Sequence, residues 1–241
     1  MRRRTCCCFG FIAISATLAG GYWYGSIALR ESVASAVESQ LPVTLGPAKH
    51  YDATVNGGVV GLLRGRIEAM RVVGDDVELR NGLQLDHIHA LLRDVRLNSS
   101  RTRIARMGGA EFRASAGQRQ LNEYCSRKYS DVPGCSLKLR DGSVTLYAQP
   151  SILGRELKLA ADARLRVENG HRVVVDITQV QAQGYRIPTP DFARQFLEDS
   201  LNPILDTAGW GFGVKLKSVT TTEKDVTLVG TASLAGIAER F

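Results

Sequence analysis

Leu157-Lys158-Leu159-Ala160-Ala161-Asp162-Ala163-Arg164-Leu165-Arg166-Val167-Glu168 runs directly into Asn169-Gly170 and then into His171-Arg172-Val173-Val174-Val175-Asp176-Ile177. In the first stretch Leu157, Leu159, Ala161, Ala163, Leu165 and Val167 alternate with Lys158, Ala160, Asp162, Arg164, Arg166 and Glu168 for twelve residues. That period of two belongs to a strand with one buried and one wet face. Asn-Gly is the dipeptide favoured in two-residue hairpins, and Val173, Val175 and Ile177 resume the alternation on the return. The stretch predicts a long antiparallel hairpin whose strands reach about 40 Å, about twice the common length.

Similar signals extend outward from it. Asp141-Gly142 turns a second hairpin between Leu137/Leu139 and Val144/Leu146. Three segments read as helices. From Ser26 to Leu41 the apolar residues Leu29, Val33, Val37 and Leu41 recur every four positions, ended by Pro42. Ser115-Ala116-Gly117-Gln118 has capping-box spacing before the apolar stripe Leu121, Tyr124, Cys125. Thr189-Pro190-Asp191 opens the third, which carries Phe192, Phe196, Leu197, Leu201, Ile204 and Leu205 and kinks at Pro203. Gly65-Arg66 precedes Asn81-Gly82, and Gly154-Arg155 precedes Asn169-Gly170, with spacings of 17 from Gly65 to Gly82 and 16 from Gly154 to Gly170. Either two similar hairpin-helix units are repeated or the glycines coincide. The expected architecture is α+β: one long twisted antiparallel sheet with amphipathic helices on its apolar face.

The chain has 241 residues with 44% hydrophobic and 23% charged, which suits a packed globular body and excludes disordered and polytopic membrane classes. Arg2, Arg3 and Arg4 precede an uncharged apolar run from Cys6 to Tyr24, 19 residues, and taking those three charges from +7 leaves +4 for the rest. As a helix the run extends about 28 Å, close to a bilayer core of about 30 Å. Positive charge before it places the body, residues 26–241, outside the cytoplasm as a single exported domain. Residues 1–25 read either as a cleaved signal peptide, with small residues at Ala19-Gly20-Gly21, or as an uncleaved anchor held by Tyr22, Trp23 and Tyr24 at the headgroup layer. The protein is then tethered at the cell membrane or released into the envelope. Cys125 and Cys135 are the only cysteines of the exported part, and they read as a disulfide in an oxidising compartment or as two reduced thiols.

Enzyme signatures are absent: there is no G-x-S-x-G, H-E-x-x-H or G-x-x-x-x-G-K-[ST]. His87 and His89 share a strand side, but spacing marks no third metal ligand. Asp75, Asp76 and Glu78 are acids on an exposed turn. Neither cofactor nor metal is expected. Arg93, Arg96, Arg101, Arg103 and Arg106 fall within fourteen residues alongside a single acid, Asp94. Guanidinium forks suit phosphate oxygens, and an exported domain with no aromatics in that stretch is no nucleic-acid binder. The arginines read as a phospholipid headgroup site or as a solvated basic face.

Several stretches together resemble the LmeA-like family of bacterial cell-envelope phospholipid-binding proteins. They are Leu62-Leu63-Arg64-Gly65-Arg66-Ile67, Gly82-Leu83-Gln84-Leu85, Leu121-Asn122-Glu123-Tyr124, the Asp141-Gly142 hairpin, and Ile187-Pro188 before the Phe-rich helix. The resemblance spans roughly Val33 to Ala232. It implies a lipid-binding envelope protein with no bond-breaking chemistry of its own and a long sheet wrapped around helices, as in tubular lipid-binding folds. On that reading Leu157, Leu159, Ala161, Ala163, Leu165, Phe192, Phe196 and Leu201 face an acyl chain, and Arg93, Arg96, Arg101 and Arg103 face its headgroup. The same apolar positions also suit a filled core of a docking module.

Overall fold

The computed structural model describes residues 28–98, 104–130, 132–149, 151–152, 155–156, 158–182, 185–186, 197–208 and 213–233. The expected N-terminal span, Leu157, Arg101, Arg103, Phe192 and Phe196 lie outside the described residues. In chain order come helix α1 (28–38), α2 (Leu41–Thr44), β1 (His50–Asn56), α3 (Val59–Leu63), β2 (Arg66–Glu78) and β3 (Gln84–Leu97). Next are β4 (Ile104–Arg106), β5 (Gly109–Gly117), α4 (Gln118–Lys128), β6 (Ser136–Arg140), β7 (Ser143–Ala148), β8 (Ser151–Ile152) and β9 (Arg155–Glu156). The chain continues with β10 (Leu159–Glu168), β11 (Arg172–Ala182), β12 (Tyr185–Arg186), α5 (197–201), β13 (Leu205–Asp206), β14 (Lys215–Thr221) and β15 (Asp225–Ala232).

Two main antiparallel sheets replace the single continuous one expected. The first has the order β1-β2-β3-β5-β15-β14 with β4 on β3; the second has the order β12-β11-β10-β7-β6 with β13 on β11. Sheet dominates, helices are few, and the whole curls into a half-barrel, so α+β overstated the helical share. The opening hairpin forms as β10 and β11, with Glu168 opposite Arg172. Asn169 and Gly170 take φ of 52° and 70°, the left-handed pair a two-residue turn of this hand requires.

The longest strands are β2, with 13 residues, and β3, with 14. Buried positions there jump by three, from Ile67 to Met70 and Gly74 to Val77 on β2 and from Leu85 to Ile88 on β3. Asp76 (φ 52°) and Asp94 (φ 51°) stand near these slips in left-handed geometry. Short polar side chains tolerate that region, so both strands change parity together while staying in register. Gly74 sits where a Cβ would meet Tyr51, Val77 and Ile88 at under 3 Å, which is why only glycine fits there.

Three helix expectations are corrected. Helix α1 ends at residue 38, and Pro42 lies in the first turn of α2 instead of ending a helix that reaches Leu41; a proline lacking N–H suits a first turn. Helix α4 follows β5 directly: Ser115 is a strand residue, and Gly117 is the N-cap with no side-chain cap. Beyond α5 the chain straightens, and Leu205 pairs with Val173 as strand instead of continuing a helix.

The inner faces of the two sheets meet in one apolar cluster, built from Val77, Leu85, Ala114 and Leu228 on one side and Val173 and Leu205 on the other. A second cluster joins Leu137, Leu146, Ala161, Ala163 and Ile177 under Cys125 of α4. The third lies at the other end of the first sheet, where Leu29, Val33 and Val37 of α1 cover Ile67, Met70, Val72 and Val95.

The edges of the second sheet are closed by side chains. Along β6 the outward N–H groups of Leu137 and Leu139 donate to Asn122 Oδ1 (2.6 Å) and Gln118 Oε1 (3.1 Å), one helical turn apart on α4. On β11, Asn202 exchanges two hydrogen bonds with Val175, at 2.7 and 3.0 Å, and Glu198 Oε1 accepts from Ile177 N at 3.2 Å. Leaving a buried N–H unpaired costs about 1–3 kcal/mol. Asn122→Ala should therefore lower the urea midpoint with an unchanged m-value and lose about that much stability, while Asn122→Asp, which keeps the acceptor, should lose less.

Candidate functional site

Between the two sheets, under α4, lies an apolar crevice. Its floor is Leu85, Ala114, Ala116, Val226 and Leu228 of the first sheet with Leu83 from the turn that leads into β3; Leu165, Val173 and Leu205 come from the second sheet; Leu121, Tyr124 and Ile204 form its lip. It holds about 40 Å³ of free space. A single water needs about 10–15 Å³ by this measure, so the crevice accommodates only a few methylene-sized groups as it stands.

Helix α4 is fastened to segment 201–204 across this lip. Tyr124 Oη donates to Ile204 O (3.2 Å), Tyr129 Oη to Leu201 O (2.6 Å), and Lys128 Nζ to Pro203 O (2.6 Å) and Ile204 O (2.8 Å). The Lys128 ammonium also stands 5.7 and 5.2 Å from the Tyr124 and Tyr129 ring centres, within cation–π range. Burial lowers the pKa of Lys128 and raises that of both tyrosines.

The structure scatters the residues expected to bind lipid. Leu165 lines the crevice. Ala161 and Ala163 are 3% and 0% exposed inside the second cluster, with Leu159 and Leu201 packed against it. Arg93 and Arg96 are exposed on the outer face near the far end of β3, eleven residues from Leu85 in the case of Arg96, and thus about 36 Å from the crevice. Tail and headgroup candidates are therefore not brought together. No Cys125–Cys135 bridge is seen: the two side chains stand as reduced thiols in hydrogen-bond contact with each other, the alternative to the expected disulfide. That hydrogen bond, and then burial, pushes the Cys125 thiol far above its ordinary range. The crevice residues that sequence reasoning missed, Ala114, Ala116, Val226 and Leu228, come together only through the pairing of β5 with β15, strands more than a hundred residues apart.

A polar basin of about 520 Å³ opens on the outer face, lined by Lys49, His50, Asp75, Asp76, Asp86, His87, Ser115, Lys224 and Asp225. Strand register sets His50, Asp75, His87 and Ser115 in one row across four strands, and His87 Nδ1 lies 2.6 Å from Asp75 Oδ1. His87 and Ser115 are not hydrogen-bonded to each other, and no group of three metal ligands exists among the described residues. Asp86 is occupied structurally, accepting from Gly117 N at 2.7 Å and from the Gln120 amide.

The described residues thus form a half-barrel of antiparallel sheet with an apolar crevice under a helix. The chain belongs to the LmeA-like phospholipid-binding family, whose model matches residues 23–231. No curated protein and no solved structure matches it.

Stability at high pH should report on the buried tyrosines. Burial pushes Tyr51 up to about 12, and Tyr124 and Tyr129 are raised as well. Each keeps in the fold a proton that the unfolded chain releases near pH 10, so this stability is full below about 10 and is lost as pH climbs through the folded values. Lys128 has the opposite sign: between its lowered value and its ordinary one the unfolded chain holds the extra proton, and its contribution grows with pH. Absorbance titration should show tyrosine ionisation coinciding with unfolding above pH 10, and Tyr51→Phe should move that unfolding to higher pH.

Proposed function

We propose that this chain is an extracytoplasmic phospholipid-binding protein of the cell envelope, which admits part of an acyl chain into the crevice between its sheets and so supports lipid transport or envelope assembly. The observation that carries this reading is a crevice lined by aliphatic side chains, with one phenol at its lip, in a member of a phospholipid-binding family. Support for the compartment comes from the apolar run between Cys6 and Tyr24 behind three arginines.

Each methylene buried gains about 0.8 kcal/mol, so about five methylenes offset the loss of the four hydrogen bonds across the lip at about 1 kcal/mol each. The bonds given up are those of Tyr124, Tyr129 and Lys128 to segment 201–204. As α4 swings from that segment, the tail lies along Leu121, Leu165 and Leu205, and it reaches Leu159, Ala161, Ala163 and Leu201 only by parting the second cluster. The phosphate then meets the ammonium of Lys128, released from the two carbonyls it holds in the closed form.

Native mass spectrometry of the full chain extracted from membranes should show a phospholipid adduct that organic solvent removes. Leu121→Trp and Leu165→Trp, which fill the crevice from half-buried positions, should lose the adduct while keeping the thermal transition. A wild-type protein that carries no lipid and takes up none from vesicles would instead mark a solid-cored docking module.

A further inference from the structure

Two of the most exposed aliphatic side chains among the described residues, Val60 at 59% and Leu63 at 50%, belong to the five-residue helix α3. Leu62 alone in that helix is buried, and it anchors α3 to the third cluster. Gly65 O accepts from Leu97 N at 2.8 Å, which ties the exit of α3 to the end of β3. There, register sets Arg66, Arg96 and Arg106 opposite one another on three adjacent strands. All three are exposed, as are the neighbouring Arg64 and Arg93, against the two acids Glu68 and Asp94. Like charges directly opposite in a sheet are destabilising, and no ion pair relieves this row among the described residues.

The chain enters the body at the same end. Arg30 Nη2, near the start of α1, donates to Gly57 O at 3.2 Å beside α3. The far end of α1 leads to Pro47, whose carbonyl accepts from Glu78 N at the opposite end of β2. Only residues 25–27 separate the apolar run ending at Tyr24 from the first residue of α1, a reach of about 14 Å at most. With that run in a bilayer, no other end of the half-barrel lies as close to the lipid.

We infer that the α3 end is a bilayer-docking surface: Val60 and Leu63 enter the headgroup layer while Arg64, Arg66, Arg96 and Arg106 bind lipid phosphates. Exposed aliphatics supply insertion and a collar of guanidinium groups supplies attraction to an anionic surface, the two-part recipe of interfacial binding. The inference is independent of whether the crevice takes a tail, since the two surfaces lie at opposite ends of β3.

The test uses the full chain in vesicles of phosphatidylcholine and phosphatidylglycerol, with acyl chains brominated close to the headgroup. Val60→Trp should add fluorescence that bromolipid quenches. Val43→Trp, at the 69%-exposed valine of α2, should add fluorescence that escapes quenching. Arg66→Glu with Arg96→Glu in the Val60→Trp protein, or high salt with the arginines intact, should remove the extra quenching. Equal quenching of the two tryptophan variants, or failure of the full chain to float with vesicles, overturns the docking surface. Quenching at Val60→Trp that persists in high salt and with both arginines reversed overturns the arginine contacts.

Discussion

A sheet whose outermost strands were left bare would present rows of unpaired N–H and C=O groups, and the second sheet of this protein meets that constraint with side chains. Gln118 and Asn122 close β6, while Glu198 and Asn202 close β11 between its short pairings with β12 and β13. Each pair is spaced four residues apart, so one helical face presents both partners to successive outward-pointing groups of a strand. The hydrogen bonds hold both helices at the sheet edges, and α4 thereby comes to lie over the space between the sheets. Its apolar stripe of Leu121 and Tyr124 then becomes the lip of the crevice.

What was legible in the sequence was local. Alternation from Leu159 to Glu168 and the Asn169-Gly170 turn define β10 and β11 because pleat and turn chemistry act over neighbouring residues. The strands β2 and β3 were harder to read, since parity slips near Asp76 and Asp94 break any run of period two. Long-range pairing was not legible: nothing in Ala110 or Ala232 announces that they face each other across β5 and β15. The edge-closing residues were hidden for a different reason. Gln118, Asn122, Glu198 and Asn202 look like the wet side of ordinary helices, and their partners are backbone groups, which every residue but proline carries alike. Hence the candidate tail residues from β10 shared a correct buried face, yet only Leu165 lines the space that remains.

The length of β3 separates the two chemical surfaces of the molecule. Arginines crowd its C-terminal end and leucines floor the crevice near its N-terminal end. Different elements cover the concave side at each: α1 over the third cluster, and the second sheet with α4 over the first. The elements fastened by side chains at the crevice are linked to the first sheet chiefly through apolar contact, which allows sliding in a way that a continuous ladder does not. A half-barrel built this way has one end firm by strand pairing and another whose covering helix is secured by a handful of polar bonds.

Asn202 acts as a surrogate peptide unit, its carboxamide both donating to and accepting from Val175 as another strand would. A carboxamide ages where a peptide does not, because asparagine ordinarily loses ammonia after attack by the backbone nitrogen of the following residue. Here the following residue is Pro203, whose nitrogen carries no hydrogen. Imide ring closure is thereby barred at the one asparagine whose conversion to a carboxylate would leave the carbonyl of Val175 without its donor.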